Sequence, residues 1–321
     1  MFQQLIYQLN KYRILLYKPI HMQRSHFIRQ VGLSVAAISF LNHPLFALLQ
    51  KSQAWKINML TDTVGVFSEK GGTILFLLTK KGVVVIDSQF ADAAAHLIDE
   101  IKKKTVQPFR YLINTHHHSD HTSGNIAFKG LVKQVVAHEN SYANQKAVAI
   151  KSNTVDKQLY PDRTFGDEGW NKKLGEEEIQ TYYFGAGHTN GDSIIHLQNS
   201  NIVHMGDLVF NRRYPYIDKS AGASIKNWIK VLHRTNQTFS EQTRFVFGHA
   251  GEGYDITGNK ADIKAFQDYL EKLLEFGKKE ILQSGKSKQE FLKNTTIPGV
   301  KEWKGDGIER SLNAVWEELT S

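Results

Sequence analysis

The sequence predicts an α/β fold, because short runs of β-branched and apolar residues alternate with segments of helical periodicity. Of its 321 residues, 41% are hydrophobic and 22% are charged, so intrinsic disorder and collagen-like repeats are excluded. The chain contains no cysteine, which excludes a disulfide scaffold, a cysteine nucleophile, an iron–sulfur cluster and a thiolate zinc site.

The first predicted elements of the domain form a β-hairpin. Thr73–Leu78 and Val83–Asp87 are apolar runs separated by the turn sequence Thr79-Lys80-Lys81-Gly82. The next segment, Ala91–Lys104, is predicted as an amphipathic helix, since its apolar residues share one face. Lys146–Lys173 is polar and poorly periodic, and we expect a long excursion over the surface there.

The remaining predicted elements are short strands followed by longer helices. The strands are Tyr111–Asn114, Val135–Ala137, Gln180–Phe184, Ser193–Leu197, Ile202–His204 and Phe245–Phe247. The helices are Lys260–Leu282, Lys288–Asn294 and Ile308–Leu319. Histidine-rich or acidic motifs follow several of the strands directly, where loops held by rigid strands commonly form functional sites.

The strongest of these motifs is Thr115-His116-His117-His118-Ser119-Asp120-His121, which directly follows a strand. In a loop that leaves a strand, His116 and His118 can point the same way, while Asp120 and His121 reach a second position. Imidazoles with one carboxylate suit Zn²⁺ or another first-row ion. The spacing therefore predicts a metal site rather than a chance cluster of surface histidines.

With its later motifs, the chain resembles the metallo-β-lactamase-fold hydrolase superfamily over roughly residues 55–255. Five motifs occur in the family's order: the strand-ending Asp87, the histidine motif above, Gly185–Asp192 with His188, His204-Met205-Gly206-Asp207, and Gly248-His249. The resemblance implies a four-layer αββα sandwich.

The resemblance also implies two divalent metal ions, with Zn²⁺ expected. By analogy, the first ion is held by His116, His118 and His188. The second is held by Asp120, His121 and His249, and Asp207 bridges the two. The implied activity is hydrolysis of an ester, lactone, thioester or amide bond, a β-lactam included, by a bridging hydroxide that Asp120 and Asp207 hold in place.

The resemblance leaves the substrate open, beyond its being a small molecule. Asp207 resembles the glyoxalase II, lactonase and esterase branches, whereas the clinically important lactamase subclasses carry cysteine or serine there. The lysine that one such subclass uses to capture a drug carboxylate would fall at Phe210. Arg212 and Arg213 are predicted to hold an anionic substrate group, and a solvated loop pair is the alternative for both.

Two other functions use the same residues: a phosphodiesterase or nuclease, and a non-catalytic metal-binding module. Nucleic acid is not an expected partner, although the formal charge is +8. Residues 1–50 hold five basic residues and no acidic one, and removing those five leaves 35 basic against 32 acidic residues. We expect packing or surface roles for His96, His138, His196, His204 and His233, and supporting roles for Asp87, His117 and Asp192.

Residues 1–50 are predicted to be an N-terminal extension with an export signal, and residues 51–321 the hydrolase domain with its C-terminal helices. Val31–Leu41 is apolar and follows Arg24 and Arg29, as in a signal peptide. The Arg24–Arg29 run resembles a twin-arginine signal, with Ser25 in place of the second arginine. A buried or membrane-resting amphipathic helix is the alternative. No stable membrane anchor is expected, and the oligomeric state stays open.

Overall fold

The structure is a computed structural model and describes residues 55–321. The predicted domain boundary after residue 50 and the predicted export segment lie outside these residues. Among residues 55–321, no helix is long and apolar enough to cross a membrane.

Two β-sheets form the centre of the fold. In the first sheet seven strands lie side by side in chain order: β1 Lys56–Met59, β2 Val64–Ser68, β3 Ile74–Thr79, β4 Gly82–Ile86, β5 Phe109–Asn114, β6 Gln134–His138 and β7 Arg163–Phe165. The second sheet has the order β15-β13-β11-β10-β9-β8, formed by β8 Asn171–Leu174, β9 Glu177–Tyr182, β10 Ile194–Leu197, β11 Ile202–His204, β13 Arg244–Val246 and β15 Thr257–Gly258. A separate parallel pair joins β12 Phe210–Asn211 to β14 His249–Ala250.

Seven α-helices accompany the two sheets in residues 55–321. They are α1 Ala91–Lys104, α2 Ser119–Thr122, α3 Glu139–Lys151, α4 Ile225–Thr238, α5 Lys260–Gly277, α6 Lys288–Phe291 and α7 Ile308–Thr320. A π-helical segment, Lys278–Gln283, continues α5.

The alternation of side chains along the strands builds the layers. On β4, Val83 and Val85 pack with α1, whereas Val84 and Ile86 pack against residues of the second sheet. The outer face of the second sheet packs against α4, α5 and α7. Because successive strand residues face opposite sides, one fully buried strand serves two apolar layers. The predicted α/β fold, with two sheets and flanking helices, is confirmed.

Parallel strand pairs bring the motif loops to one edge of the sandwich. In the first sheet β4 is parallel to β5, so Asp87 and the loop that begins at Thr115 leave neighbouring strand ends. In the second sheet β11 is parallel to β13, so the loops with Asp207 and His249 leave neighbouring ends as well. The carboxyl ends of parallel strands meet at one edge, which is where α/β proteins place ligands.

Part of the chain differs from the sequence-based expectation. The predicted surface excursion at Lys146–Lys173 contains the end of α3 and the strands β7 and β8. Helix α3 has no apolar periodicity, because its buried residues are Ser141, Gln145 and Ala149. Helix α4 was also missed, although Ile225, Trp228 and Leu232 follow helical spacing.

The substitution Trp228→Ala is expected to destabilise the outer helical layer. Trp228 is fully buried, its Nε1–H donates to the carbonyl of Leu208 at 3.0 Å, and its ring packs on Phe266. Loss of a buried aromatic side chain lowers the free energy of unfolding by about 3–5 kcal/mol, measurable by denaturant titration. The exposed Lys230 of the same helix provides the control, and Lys230→Ala should stay within about 0.5 kcal/mol. Equal losses in the two variants would contradict this packing.

Candidate metal centre

Three imidazoles and one carboxylate form the first group of candidate ligands. His118 Nδ1 lies 3.1 Å from His116 Nε2 and 2.8 Å from His188 Nε2. Asp207 Oδ2 lies 3.8 Å from His116 Nε2 and 3.5 Å from His188 Nε2. Ligand atoms about 2.0–2.1 Å from a tetrahedral zinc ion are separated by about 3.3 Å, so this spacing suits one small cation.

The second group lies on the other oxygen of Asp207. Asp207 Oδ1 is 3.1 Å from His121 Nε2 and 3.4 Å from His249 Nε2. Asp120 Oδ2 is 3.1 Å from His249 Nε2 and 3.8 Å from His121 Nε2. The structure thus brings all seven predicted ligand residues together in two groups that could each hold an ion, and Asp207 touches both groups.

The outer nitrogen of four of these rings is held by a hydrogen-bond acceptor. His118 Nε2 donates to Asp218 Oδ2 at 2.9 Å, and His121 Nδ1 donates to Asp87 Oδ2 at 2.8 Å. His188 Nδ1 donates to the carbonyl of Tyr216 at 2.7 Å. The fourth ring, His116, is held by the Thr115 hydroxyl at 3.0 Å, and that hydroxyl itself donates to Asp87. A neutral imidazole has one proton, so a ring that holds it on the outer nitrogen can offer the lone pair of its inner nitrogen to a metal ion.

Those inward nitrogens and the carboxylate oxygens form a donor set that fits a cation. His116 Nε2, His118 Nδ1 and His188 Nε2 converge on one point, 2.8 to 3.1 Å from their neighbours. In the second group, His121 Nε2 and Asp207 Oδ1 are buried 3.1 Å apart, and within residues 55–321 neither atom has a hydrogen bond of good geometry. Unpaired buried polar atoms are costly, so their convergence fits a bound metal ion.

Burial and neighbouring charges set the proton affinity of the ligands. Burial lowers the pKa of His188 to about 3 and holds the pKa of His116 well below its usual value, so both rings are neutral at pH 7. Burial acts in the same direction on His249, but the carboxylates of Asp207 and Asp120 outweigh it and raise the pKa of that ring to about 9. The carboxylates therefore give the second group a negative electrostatic potential, which suits a site for a positive ion.

Two glycines allow the backbone to approach the ligands closely. A Cβ atom at Gly72 would overlap the ring of His121, and one at Gly248 would overlap Asp207 Oδ1. Any side chain at these two positions would displace a ligand.

Asp87 ties the first sheet to the ligand loop. It is fully buried, has a φ of 64°, and accepts hydrogen bonds from the Thr115 amide and hydroxyl as well as from His121. These contacts agree with an orienting role rather than metal binding. Sequence reasoning missed the corresponding acceptors Asp218 and Tyr216, because nothing local marks a residue that contacts a histidine 100 positions away.

A cavity of about 420 Å³ opens above the two ligand groups. Asp120, Asp207 and His249 line it near the candidate ligands, and Arg213 lies among the remaining lining residues. Arg212 does not line the cavity, which disagrees with the prediction that it contacts the substrate. Its guanidinium instead donates to Asn211 and Asp262, each at 2.7 Å.

The other histidines make packing contacts or face solvent. His96 lies 2.9 Å from Glu69 and stacks on Trp55, and His138 stacks on Tyr183. His196 packs on Phe239, His204 is buried between the sheets near Thr73, and His233 is exposed. His117 lies beside Asp218, with its Nε2 3.7 Å from the carboxylate.

Comparison with known proteins agrees with this geometry. The family model described as the metallo-beta-lactamase superfamily matches residues 69–261, more than half of the chain. Metallo-beta-lactamase type 2 of Elizabethkingia meningoseptica is 25% identical over 71% of this chain and 91% of its own length. Metallo-beta-lactamase IND-1 of Chryseobacterium indologenes is 25% identical over 58% of this chain and 76% of its own.

Solved structures show the same fold. A metallo-beta-lactamase from Pontibacter korlensis superposes with a TM-score of 0.57 at 22% identity, over 68% of this chain and 99% of that one. The DIM-1 metallo-beta-lactamase gives a TM-score of 0.55 at 19% identity, over 68% of this chain and 97% of that one. The chain belongs to the metallo-beta-lactamase superfamily and is a metal-dependent hydrolase.

The close approach of Gly248 to Asp207 gives a test of the site. Gly248→Ala places a methyl group where Asp207 Oδ1 lies, so the carboxylate must move. We expect the divalent metal retained after desalting, measured by plasma mass spectrometry, to fall by about half or more. Gly130→Ala is the control, because a Cβ there meets no atom and only its φ of 77° is unfavourable. Wild-type metal content in Gly248→Ala would contradict the assignment of Asp207.

Proposed function

We propose that this protein is a dinuclear zinc hydrolase that cleaves an ester, lactone, thioester or amide bond in a small molecule. The observation that carries the proposal is the convergence of five imidazole nitrogens and two carboxylates in two groups that share Asp207. His116, His118 and His188 would hold one ion, Asp120, His121 and His249 the other, and Asp207 would contact both. Nitrogen-rich sites with a few carboxylates favour zinc over magnesium or calcium.

When bound, such a pair of ions supplies a water that is deprotonated near neutral pH and polarises the bond under attack. The residues of the chain then position the water and the substrate. Asp120 and Asp207 both line the cavity, and their carboxylates can accept a hydrogen bond from a water and fix its orientation. Asp120 is 28% exposed at its side chain and Asp207 only 4%, so Asp120 is the carboxylate that faces substrate.

The walls of the cavity favour a small organic substrate. Phe210, Tyr214, Pro215 and Tyr216 provide apolar surface beside the ligand groups, and Arg213 adds a cation. The named relatives make a β-lactam amide one candidate bond. However, Asp207 and Phe210 depart from the pattern of the clinically important lactamase subclasses. This departure makes esters and lactones candidate substrates in addition to β-lactams.

A panel of colorimetric substrates tests the proposal. Metal-defined protein is expected to hydrolyse at least one of an aryl ester, a lactone and a cephalosporin, faster than a phosphodiester, and chelator treatment should abolish turnover until zinc is returned. Asp120→Ala should lower kcat by about 100-fold or more, whereas the exposed Asp62→Ala should not change it.

Three outcomes would overturn the assignment. Turnover that survives chelation would exclude the metal mechanism. Metal-loaded protein that cleaves nothing in the panel would favour the non-catalytic module, and a preference for the phosphodiester would favour the nuclease alternative.

We also propose that the protein is exported, on the basis of Arg24, Arg29 and the apolar segment Val31–Leu41. Fractionation of cells that produce the full chain should place a shortened form outside the cytoplasm. Replacing both arginines with glutamine should retain the uncleaved chain inside. An uncleaved wild-type chain in the cytoplasm would contradict export.

A further inference from the structure

The wall of the cavity includes a segment that lies beyond the matched family region. The family match ends at residue 261, yet Asp306, Gly307 and Arg310 line the same cavity as the candidate ligands. Arg310 lies in the first turn of helix α7, and Gly307 directly precedes the helix. The cavity is therefore completed by residues whose role the family match does not describe.

Hydrogen bonds fix helix α7 against the loop that follows Asp207. The buried Glu318 accepts from the Ser224 hydroxyl at 3.2 Å and from the Lys226 amide at 3.1 Å, and it pairs with Lys219. At the other end of the helix, the fully buried Ser311 hydroxyl donates to the Pro215 carbonyl at 3.4 Å. Because both ends of the helix are anchored, Arg310 has a defined place at the cavity.

Arg310 lines the same cavity as Tyr216, whose ring contacts a candidate ligand. The ring of Tyr216 is centred 5.3 Å from the ring of His118, and it lines the cavity together with Arg310. The guanidinium therefore shares one cavity with the candidate ligands, and a substrate whose reacting bond is at those ligands would occupy that cavity.

The cations of this region differ in whether they have a carboxylate partner. Arg212 is paired with Asp262 and Glu302, and Lys219 is paired with Glu318. Arg213 and Arg310 make no ion pair within the part of the chain that the structure describes, and both are exposed at the cavity. Apart from the candidate ligands, Asp306 is the one carboxylate that lines this cavity in residues 55–321.

From these observations we infer that helix α7 is a substrate-binding element, in which Arg310, together with Arg213, binds a carboxylate on the substrate. The inference rests on the proposed function. The proposed function names the kind of bond that is cleaved, and the inference adds that the substrate carries a negative charge. Guanidinium groups suit this task, because their planar N–H pairs match the two oxygens of a carboxylate. The same helix thereby selects anionic over neutral substrates.

The test compares two esters of similar length, the neutral 4-nitrophenyl butyrate and the anionic mono-4-nitrophenyl succinate. For Arg310→Gln in the metal-loaded protein, we expect KM for the anionic ester to rise about tenfold. We expect kcat for that ester and KM for the neutral ester to stay unchanged. Arg310→Lys should give a smaller increase, because charge remains but the paired geometry is lost. Asp306→Asn should lower KM for the anionic ester.

Lys301→Gln is the matched control, since Lys301 is an exposed cation of the same segment that does not line the cavity. It should leave both KM values unchanged. Equal shifts for the two esters in Arg310→Gln, or no shift, would overturn the inference. Thermal unfolding of each variant identifies misfolding, and in that case Arg213→Gln and Asp306→Asn must still change KM for the anionic ester alone.

An equilibrium measurement separates this inference from the proposed function. Calorimetry with succinate and the neutral butyramide is expected to show weaker binding of succinate to Arg310→Gln and equal binding of butyramide. If the wild-type protein cleaves neither ester, the proposed ester hydrolysis fails, while the succinate result still decides the role of Arg310. Unchanged succinate binding would overturn the inference even in an active enzyme.

Discussion

The candidate metal centre depends on hydrogen bonds made at the far side of its imidazoles. Asp87, Asp218 and the Tyr216 carbonyl each accept the outer N–H of one histidine. An acceptor in that position fixes both the tautomer and the ring plane, so the lone pair points to one place. Without these acceptors the same histidines would be free to rotate, and their mutual repulsion at about 3 Å would separate them.

The two ligand groups are also joined through the backbone across the two sheets. The Gly72 amide donates to the Asp120 carbonyl at 3.0 Å, and the next residue, Thr73, donates from its amide and hydroxyl to the Gly248 carbonyl. The Gly248 amide in turn donates to the Gly206 carbonyl at 2.7 Å. These hydrogen bonds hold the loops that carry Asp120, Asp207 and His249 next to one another. They explain how residues from separate sheets share one centre.

Sequence reasoning succeeded where the signal was local. The strand patterns predicted the α/β fold, and the spacing of the motif that follows a strand predicted the metal site at His116–His121. The resemblance to the family added His188, Asp207 and His249. Sequence reasoning failed where contacts are distant or polar. The sequence does not reveal that Arg212 pairs with Asp262, which lies 50 positions further on. Nor does it reveal helix α3, because that helix buries Ser141 and Gln145 rather than apolar residues.

The loop after Asp207 connects catalysis to substrate choice. On one side, Tyr216 and Asp218 orient two ligand histidines. On the other, Pro215 and Lys219 hold helix α7, which brings Arg310 to the cavity. The orienting residues lie within the family match and Arg310 lies beyond it. Membership of the superfamily therefore describes the chemistry of the centre, whereas the part of the substrate that is not cleaved is bound by a helix that this membership does not describe.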